Sequence, residues 1–408
     1  MKILVSSMAF FPDHSGIPLY SSDFAFYAAE NGHEVSVVTG FPFYPSWKKR
    51  KEDEGVLFRV DQHKNVKIYR GYIYVPRKPT GVKRILQEIS FLFFSFINFF
   101  RVGKQDVIVV FVTPVLLGLM AWFFKKVYGA RLVINIQDFQ VEAASSLGLL
   151  DWLPIVPMMH SFESLSFKGA DLVSSISDGM VKILKQKKVD ESKIYLWPNW
   201  IDVNEASKLG IKGEFRKQFS IPDNSTIIAY AGNVGEKQGL STLIDLAIHF
   251  KEREDMVFLI IGEGGDLKNL KDYHAEKKAG NLRFLPFLNP QGYKNFLADA
   301  DVIFISQKKI PKDIYFPSKL LGLMAGKKLI FLAADEESEL YKVLKNNDLA
   351  LVGRIGNLTE LKECMNHILQ ESSDLNKLKE NAWGFVRQFD REFVLSNVLR
   401  KIESLVKL

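Results

Sequence analysis

Short, almost uninterrupted apolar runs alternate with longer stretches of helical periodicity along most of the chain. Ile3 to Ser6, Glu34 to Thr39, Asp106 to Val112, Arg131 to Ile136 and Leu172 to Ile176 read as strands in the first half. Tyr20 to Glu30 and Val115 to Lys126 between them read as helices. The rhythm resumes with strands at Ile227 to Tyr230, Val257 to Ile261, Leu282 to Leu285, Val302 to Ile305 and Leu329 to Leu332. Strands that are apolar throughout, rather than at every second position, belong to parallel sheets covered on both faces. The predicted fold class is therefore α/β, with two doubly wound, Rossmann-like halves.

The boundary is placed after Tyr195-Leu-Trp-Pro-Asn-Trp200, where a polar stretch to about Asn224 suits a linker. This divides the chain into a first domain over 1–200, a second over 201–385, and a terminal segment over 386–408. That last segment holds a helix, Glu392 to Val406, expected to return to the first domain. One run breaks the pattern. Ile85 to Phe100 is a phenylalanine-rich helix with Lys78, Lys83, Arg84, Arg101 and Lys104 at its ends. Glu88 and Asn98 shorten it below the ~20 apolar residues that span a bilayer. Two readings stay open: a helix lying in the headgroup layer, with 83–104 as the contact, or a helix packed on the sheet.

With 408 residues, 47% of them hydrophobic, the chain can bury more than one core. A single cysteine, Cys364, excludes a disulfide framework and fits a reducing cytosol. The opening Met1-Lys-Ile-Leu-Val5 lacks the form of a secretory signal and is expected to begin a strand. A net charge of +7 favours anionic partners. Without a nucleic-acid-reading motif, a nucleotide diphosphate or an anionic membrane surface fits better than DNA or RNA.

Candidate chemistry gathers at glycine turns. Gly232-Asn-Val-Gly235 follows a strand and precedes a helix expected to restart at Gly239. Such a turn offers backbone N–H groups to phosphate oxygens, with Lys237 as an added charge. Gly262, Gly264 and Gly265 follow the next strand, where a nucleoside can pass close to the backbone. Ser318 and Lys319 open a helix and suit a pyrophosphate; Ser318 as a plain N-cap is the alternative. In the first half, Gly16 lies in a strand-to-helix turn, and Gln137 and Asp138 follow a strand at the edge where ligands collect. Asp13, Asp23 and Asp138 are not spaced as a cation site, so no metal is expected.

Nine segments occur together in one order. They are Gly16-Ile-Pro-Leu-Tyr20, Gly32 to Thr39, Pro42-Phe-Tyr-Pro45, Gln137-Asp138, Ile176 to Met180, Pro198-Asn-Trp200, Gly232 to Gly239, Ile261-Gly-Glu-Gly264 and Pro317-Ser-Lys-Leu320. In this the chain resembles the bacterial family 4 glycosyltransferases, retaining enzymes of GT-B fold whose two Rossmann-like domains face a cleft. It resembles the branch that builds lipid-linked colanic acid, capsule or O-antigen.

The resemblance implies that Gly16 faces the donor diphosphate. It also implies that Gly232, Asn233, Gly235, Lys237, Gly262, Gly264, Ser318, Lys319 and Leu320 hold the donor, and that the base lies near Phe287. Gln137 stands where many relatives carry a histidine that contacts the sugar. Asp138 and Glu142 are then left to activate the acceptor, with helix capping as the alternative for both.

Two glutamates typical of relatives are replaced by Ile314 and Gly322, and an arginine by Asn233. The implied activity is metal-independent transfer of a hexosyl or N-acetylhexosaminyl group. The implied donor is a UDP-sugar, with a GDP-sugar as the other option, and the implied acceptor is a polyprenyl-diphosphate-linked glycan. No cofactor is expected, and the implied location is the cytoplasmic face of the cell membrane. A nucleotide-sugar epimerase and a catalytically degenerate membrane scaffold are the rival readings.

Overall fold

The computed structural model describes residues 1–14, 16–77, 81–139, 155–308, 318–370 and 373–407. The chain forms two units, one of Met1–Asn199 with Glu392–Leu408 and the other of Trp200–Arg391.

The first unit is built on an eight-stranded sheet in the order β3-β4-β2-β1-β5-β6-β7-β8. Its strands are β1 Lys2–Ser6, β2 Glu34–Gly40, β3 Phe58–His63, β4 Val66–Gly71, β5 Val107–Phe111, β6 Arg131–Ile136, β7 Leu172–Ser175 and β8 Ile194–Leu196. All neighbours run parallel except β3 and β4, an antiparallel hairpin that the sequence pattern does not announce. The reason is visible in β3, Phe-Arg-Val-Asp-Gln-His, which sits at the sheet edge and carries charges along its length. Edge strands protect themselves with such charges, and the apolar signal is lost. Three helices matter below: α1 Ile17–Glu30, α2 Gly81–Val102 and α3 Leu116–Tyr128.

The second unit has six parallel strands in the order β11-β10-β9-β12-β13-β14. They are β9 Thr226–Ala231, β10 Met256–Ile261, β11 Leu282–Leu285, β12 Val302–Gln307, β13 Leu329–Ala334 and β14 Leu351–Arg354. Successive side chains of β9 enter opposite layers. Ile227 and Ala229 join one core cluster, Ile228 and Tyr230 the other, and all four are buried. A period of two with both faces covered leaves no polar position, which explains the unbroken apolar runs.

The stretch from Trp200 to Asn224 is not a linker. It contains the short helices Val203–Ala206 and Glu214–Gln218, and Phe215 on the second is fully buried in the core with its ring 5.3 Å from that of Phe296. The Arg216 guanidinium donates to the carbonyls of Pro222, Ser225 and Asp299 and to the Asp301 carboxylate. Its polar composition reflects this network of buried hydrogen bonds rather than solvation.

Candidate functional site

Open parallel sheets bind ligands beyond the carboxyl ends of their strands, where the strand order reverses. In the second unit that point lies between β9 and β12, because the chain proceeds from β9 outward to β10 and later returns to β12 on the other side. Two loops meet there, Gly232–Gln238 after β9 and Gly262–Asp266 after β10. They approach so closely that glycine is required. A Cβ on Gly262, whose φ is +136°, would lie 1.9 Å from the Gly232 carbonyl oxygen. One on Gly264 would lie 2.1 Å from that of Val234.

The close approach overturns the expectation of free amides in this turn. The Gly232 N–H donates to the Ile261 carbonyl at 2.8 Å, and the Val234 N–H to that of Glu263 at 2.8 Å. The Gly235 N–H donates to the Gln238 side chain at 3.1 Å. The glycine turn therefore spends these donors in joining two loops. The helix start also differs: Glu236–Gln238 forms a single 3-10 turn, and the α-helix begins at Ser241.

What remains for an anion is a cation. A Cβ at Gly232 would come within 2.7 Å of the Lys319 Nζ, so the missing side chain makes room for that ammonium. Nζ also lies over the Tyr230 ring, 4.8 Å from its centroid, an attractive cation–π arrangement. Lys319 reaches solvent, yet protein crowds its head group on several sides, and this desolvation lowers its pKa from the usual 10.5 to about 8. Among the described residues no carboxylate pairs with it. Tyr230 is fixed beneath by a 2.6 Å hydrogen bond from its hydroxyl to the Asn233 carbonyl, and burial raises the phenol pKa to about 12.

The other expected donor residues divide. Asn233 and Lys237 are exposed on the same loop, which is tied to β12 through the Lys308 N–H on the Lys237 carbonyl at 2.8 Å. Phe287, beyond β11, is 72% exposed and so is not a core residue. Leu320 is fully buried in the core, which leaves its backbone alone for any ligand. Ser318 begins the Ser318–Ala325 helix, but its side chain and residues 309–317, Ile314 included, lie outside the described residues. Gly322, one of the two positions where the resemblance leads to an expected glutamate, faces Ile201 within the unit.

Sequence reasoning overlooked three residues here. Tyr230 looks like any strand aromatic. Ser306 donates to the Gln238 carbonyl, bracing the loop from β12. Gln307 ends β12 with its Oε1 buried and, among the described residues, without a hydrogen-bond partner. Their common signal is position at the carboxyl end of a strand beside the reversal.

In the first unit the order reverses between β1 and β5. Gly16 follows β1 and caps α1 with φ 72°, a backbone that favours glycine, and open space lies where a Cβ would stand. Asp13, three residues earlier, is buried and accepts the N–H groups of Phe43 and Tyr44 at 3.2 and 3.1 Å. Burial raises its pKa.

Gln137 is buried, and its amide donates to Asn135 at 2.7 Å, while Asn135 donates to Ser174 at 3.1 Å. This places it in a polar ladder linking β6 to β7. Asp138 is exposed at the rim of a hollow floored by Val112, Val115, Ile136 and Phe167. Glu142 lies outside the described residues. Among the described residues no three His, Cys, Asp or Glu side chains gather as a metal site.

Comparison with known proteins gives this geometry a lineage. Residues 14–205 match the family model Glycosyltransferase Family 4, and residues 211–384 match Glycosyl transferases group 1. The chain is 30% identical over 347 residues to WcaI of Escherichia coli (strain K12), described as a colanic acid biosynthesis glycosyl transferase, covering 83% of this chain and 85% of that protein. It is 25% identical over 215 residues to an alpha-galactosylglucosyldiacylglycerol synthase of Streptococcus pneumoniae, covering 51% and 54% of the two chains.

Among solved structures, Anabaena Alr3699/HepE in complex with UDP superposes with a TM-score of 0.70 at 14% identity, covering 99% of this chain and 100% of that one. Sucrose-phosphate synthase from Thermosynechococcus elongatus superposes at 0.73 with 14% identity, covering 99% of each. Two parallel α/β units of this kind are the GT-B architecture, and the chain belongs to glycosyltransferase family 4.

Proposed function

We propose that the chain transfers a hexosyl or N-acetylhexosaminyl group from a UDP-sugar to a polyprenyl-diphosphate-linked glycan in surface polysaccharide synthesis, with retention of anomeric configuration and without a metal. The observation that carries this reading is the Lys319 ammonium, held against Gly232 at the β9/β12 reversal with no carboxylate partner among the described residues. A diphosphate leaving group develops negative charge as the glycosidic bond to the donor breaks. A preorganised cation in a partly desolvated setting stabilises that charge more than one in water.

Support for a UDP donor comes from the similarity to the HepE–UDP complex, and for a polysaccharide acceptor from the similarity to WcaI. Asp138, and Glu142 beyond the described residues, are the groups we assign to the acceptor hydroxyl. Gln137 would contact the transferring sugar through hydrogen bonds alone.

The test measures UDP binding by calorimetry, then product formation from UDP-sugars with a lipid-linked acceptor. Lys319→Ala is expected to weaken UDP binding by about 10- to 100-fold, the worth of one charge-assisted contact. Undiminished binding in that variant would remove Lys319 from the donor site. Product of inverted anomeric configuration would exclude retention, and loss of activity on adding a chelator would exclude metal independence. An altered sugar nucleotide without transfer would favour an epimerase, and binding of no sugar nucleotide would favour a scaffold.

A further inference from the structure

α2 is amphipathic in the reverse of the usual sense. Its inward side carries Gln87, Ser95 and Asn98, all buried, together with Phe91 and Phe99. Asn98 donates to the Tyr69 carbonyl at 3.4 Å, and Ser90 accepts the Tyr74 N–H at 2.8 Å. Gly71 of β4 leaves room for Phe94, since a Cβ there would lie 2.7 Å from the Phe94 Cβ. The outward side is apolar from end to end: Val82, Leu86, Ile89, Phe93, Phe96 and Phe100 recur at helical spacing and are all exposed. Phe93 is 61% exposed and Phe100 53%.

The patch continues onto α3. The Phe96 ring lies 5.9 Å from that of Phe123, which is exposed, as is Val127 one turn further on. Two helices thus present one aromatic surface, far beyond the scattered apolar residues that need no explanation.

We propose that this α2–α3 face docks on the surface of an anionic lipid bilayer, with both helices lying in the headgroup layer. Charge complementarity selects this occupant. Exposed Lys83, Arg84, Arg101 and Lys126 lie on these two helices against one acidic residue, Glu88, while Lys125 turns inward to pair with Asp171 at 2.7 Å. Glu88 itself is crowded by protein, and burial raises its pKa to about 7. Exposed Lys83 and Lys126, with Lys104 just beyond α2, border the apolar surface as headgroup-binding lysines do. α2 has the length and hydropathy of a membrane span: it is 22 residues long, and its most apolar 18 residues have a mean hydropathy of 1.4. Its polar inward bonds to the strand β4 and to Tyr74 nonetheless hold it along the sheet, so it lies on the bilayer rather than across it.

Vesicle co-sedimentation of the full chain tests this without any nucleotide, so its failure and that of the donor-site reading are separable. The probes are vesicles of phosphatidylcholine with and without phosphatidylglycerol. The chain is expected to partition onto the anionic vesicles and to be released by salt. Phe93→Ser/Phe96→Ser/Phe123→Ser should lower the partition coefficient at least tenfold, and Lys83→Glu/Lys104→Glu should lower it severalfold, both with near-native melting temperatures. If the triple variant unfolds, the charge variant and the salt dependence alone decide.

Absence of binding to anionic vesicles, or equal binding to neutral ones, would overturn the proposal. So would a self-associated chain in sedimentation velocity that the triple variant renders monomeric, which would make the face an interface between copies.

Discussion

Lys319 shows how far a single side chain can be read from a chain of letters. Its proximity to Ser318 and a helix start is visible in sequence, but its pKa of about 8 comes from the protein packed around it. A pH dependence follows. The last ionisation of the UDP phosphates, at about pH 6, is largely complete above pH 7, so the change between pH 7 and 9 reads chiefly Lys319. Its cationic form predominates below about 8, and UDP affinity should hold there and fall as pH rises beyond it. In Lys319→Ala that decline should vanish, as isothermal titration at pH 7, 8 and 9 would show.

Gly262 makes the second residue-scale case. Alanine there meets the Gly232 carbonyl oxygen at 1.9 Å and must hold φ at +136°. Gly262→Ala should destabilise by about 3 kcal/mol, combining strain and overpacking, as read by chemical unfolding. Gly265→Ala, with open space around it, should cost far less.

At the scale of elements, buried strands are legible, down to the four-residue β7 and β11, and the charged edge strand is not. β9, β10, β12 and β13 declare themselves because both faces are covered. β3 hides behind edge charges, and the Trp200–Asn224 stretch hides behind its own hydrogen bonds. The latter makes a testable claim. Arg216 supplies donors to three carbonyls and a carboxylate, so Arg216→Met should leave buried acceptors unpaired. We expect a loss of about 2–3 kcal/mol, resting on the buried carbonyls because the Asp301 carboxylate is half exposed and screened. A true linker would tolerate the change with no shift in the unfolding midpoint.

For the whole molecule, the terminal helix Arg391–Lys407 matters most. Within the first unit Glu392 accepts the Tyr27 hydroxyl at 2.7 Å, and Glu403 pairs with His33 at 3.2 Å. Val394, Leu395, Val398, Leu399 and Ile402 are buried along it. Removing residues 392–408 would expose the apolar surface they cover, at about 1.5–3 kcal/mol for each side chain before the entropy regained by the freed segment. A fall in melting temperature on the order of 10 °C or more is expected from calorimetry. A thermal-shift panel of UDP- and GDP-sugars reads the intact chain in the opposite direction, since ligands that bind only the native state raise the midpoint.

The order of apolar strands, the two-unit α/β plan and the nine family segments were all readable from residue types, because burial on both sheet faces imposes a composition that survives without coordinates. What the linear order concealed was adjacency. The Gly232 carbonyl, thirty residues away in sequence, takes the side-chain space of Gly262, and the amides of Gly232 and Val234 expected to meet phosphate are spent on the carbonyls of Ile261 and Glu263. The inverted polarity of α2 was hidden for the same cause. Which side of a phenylalanine-rich helix meets the sheet depends on where Gly71 and Tyr69 stand, and only packing brings those partners together.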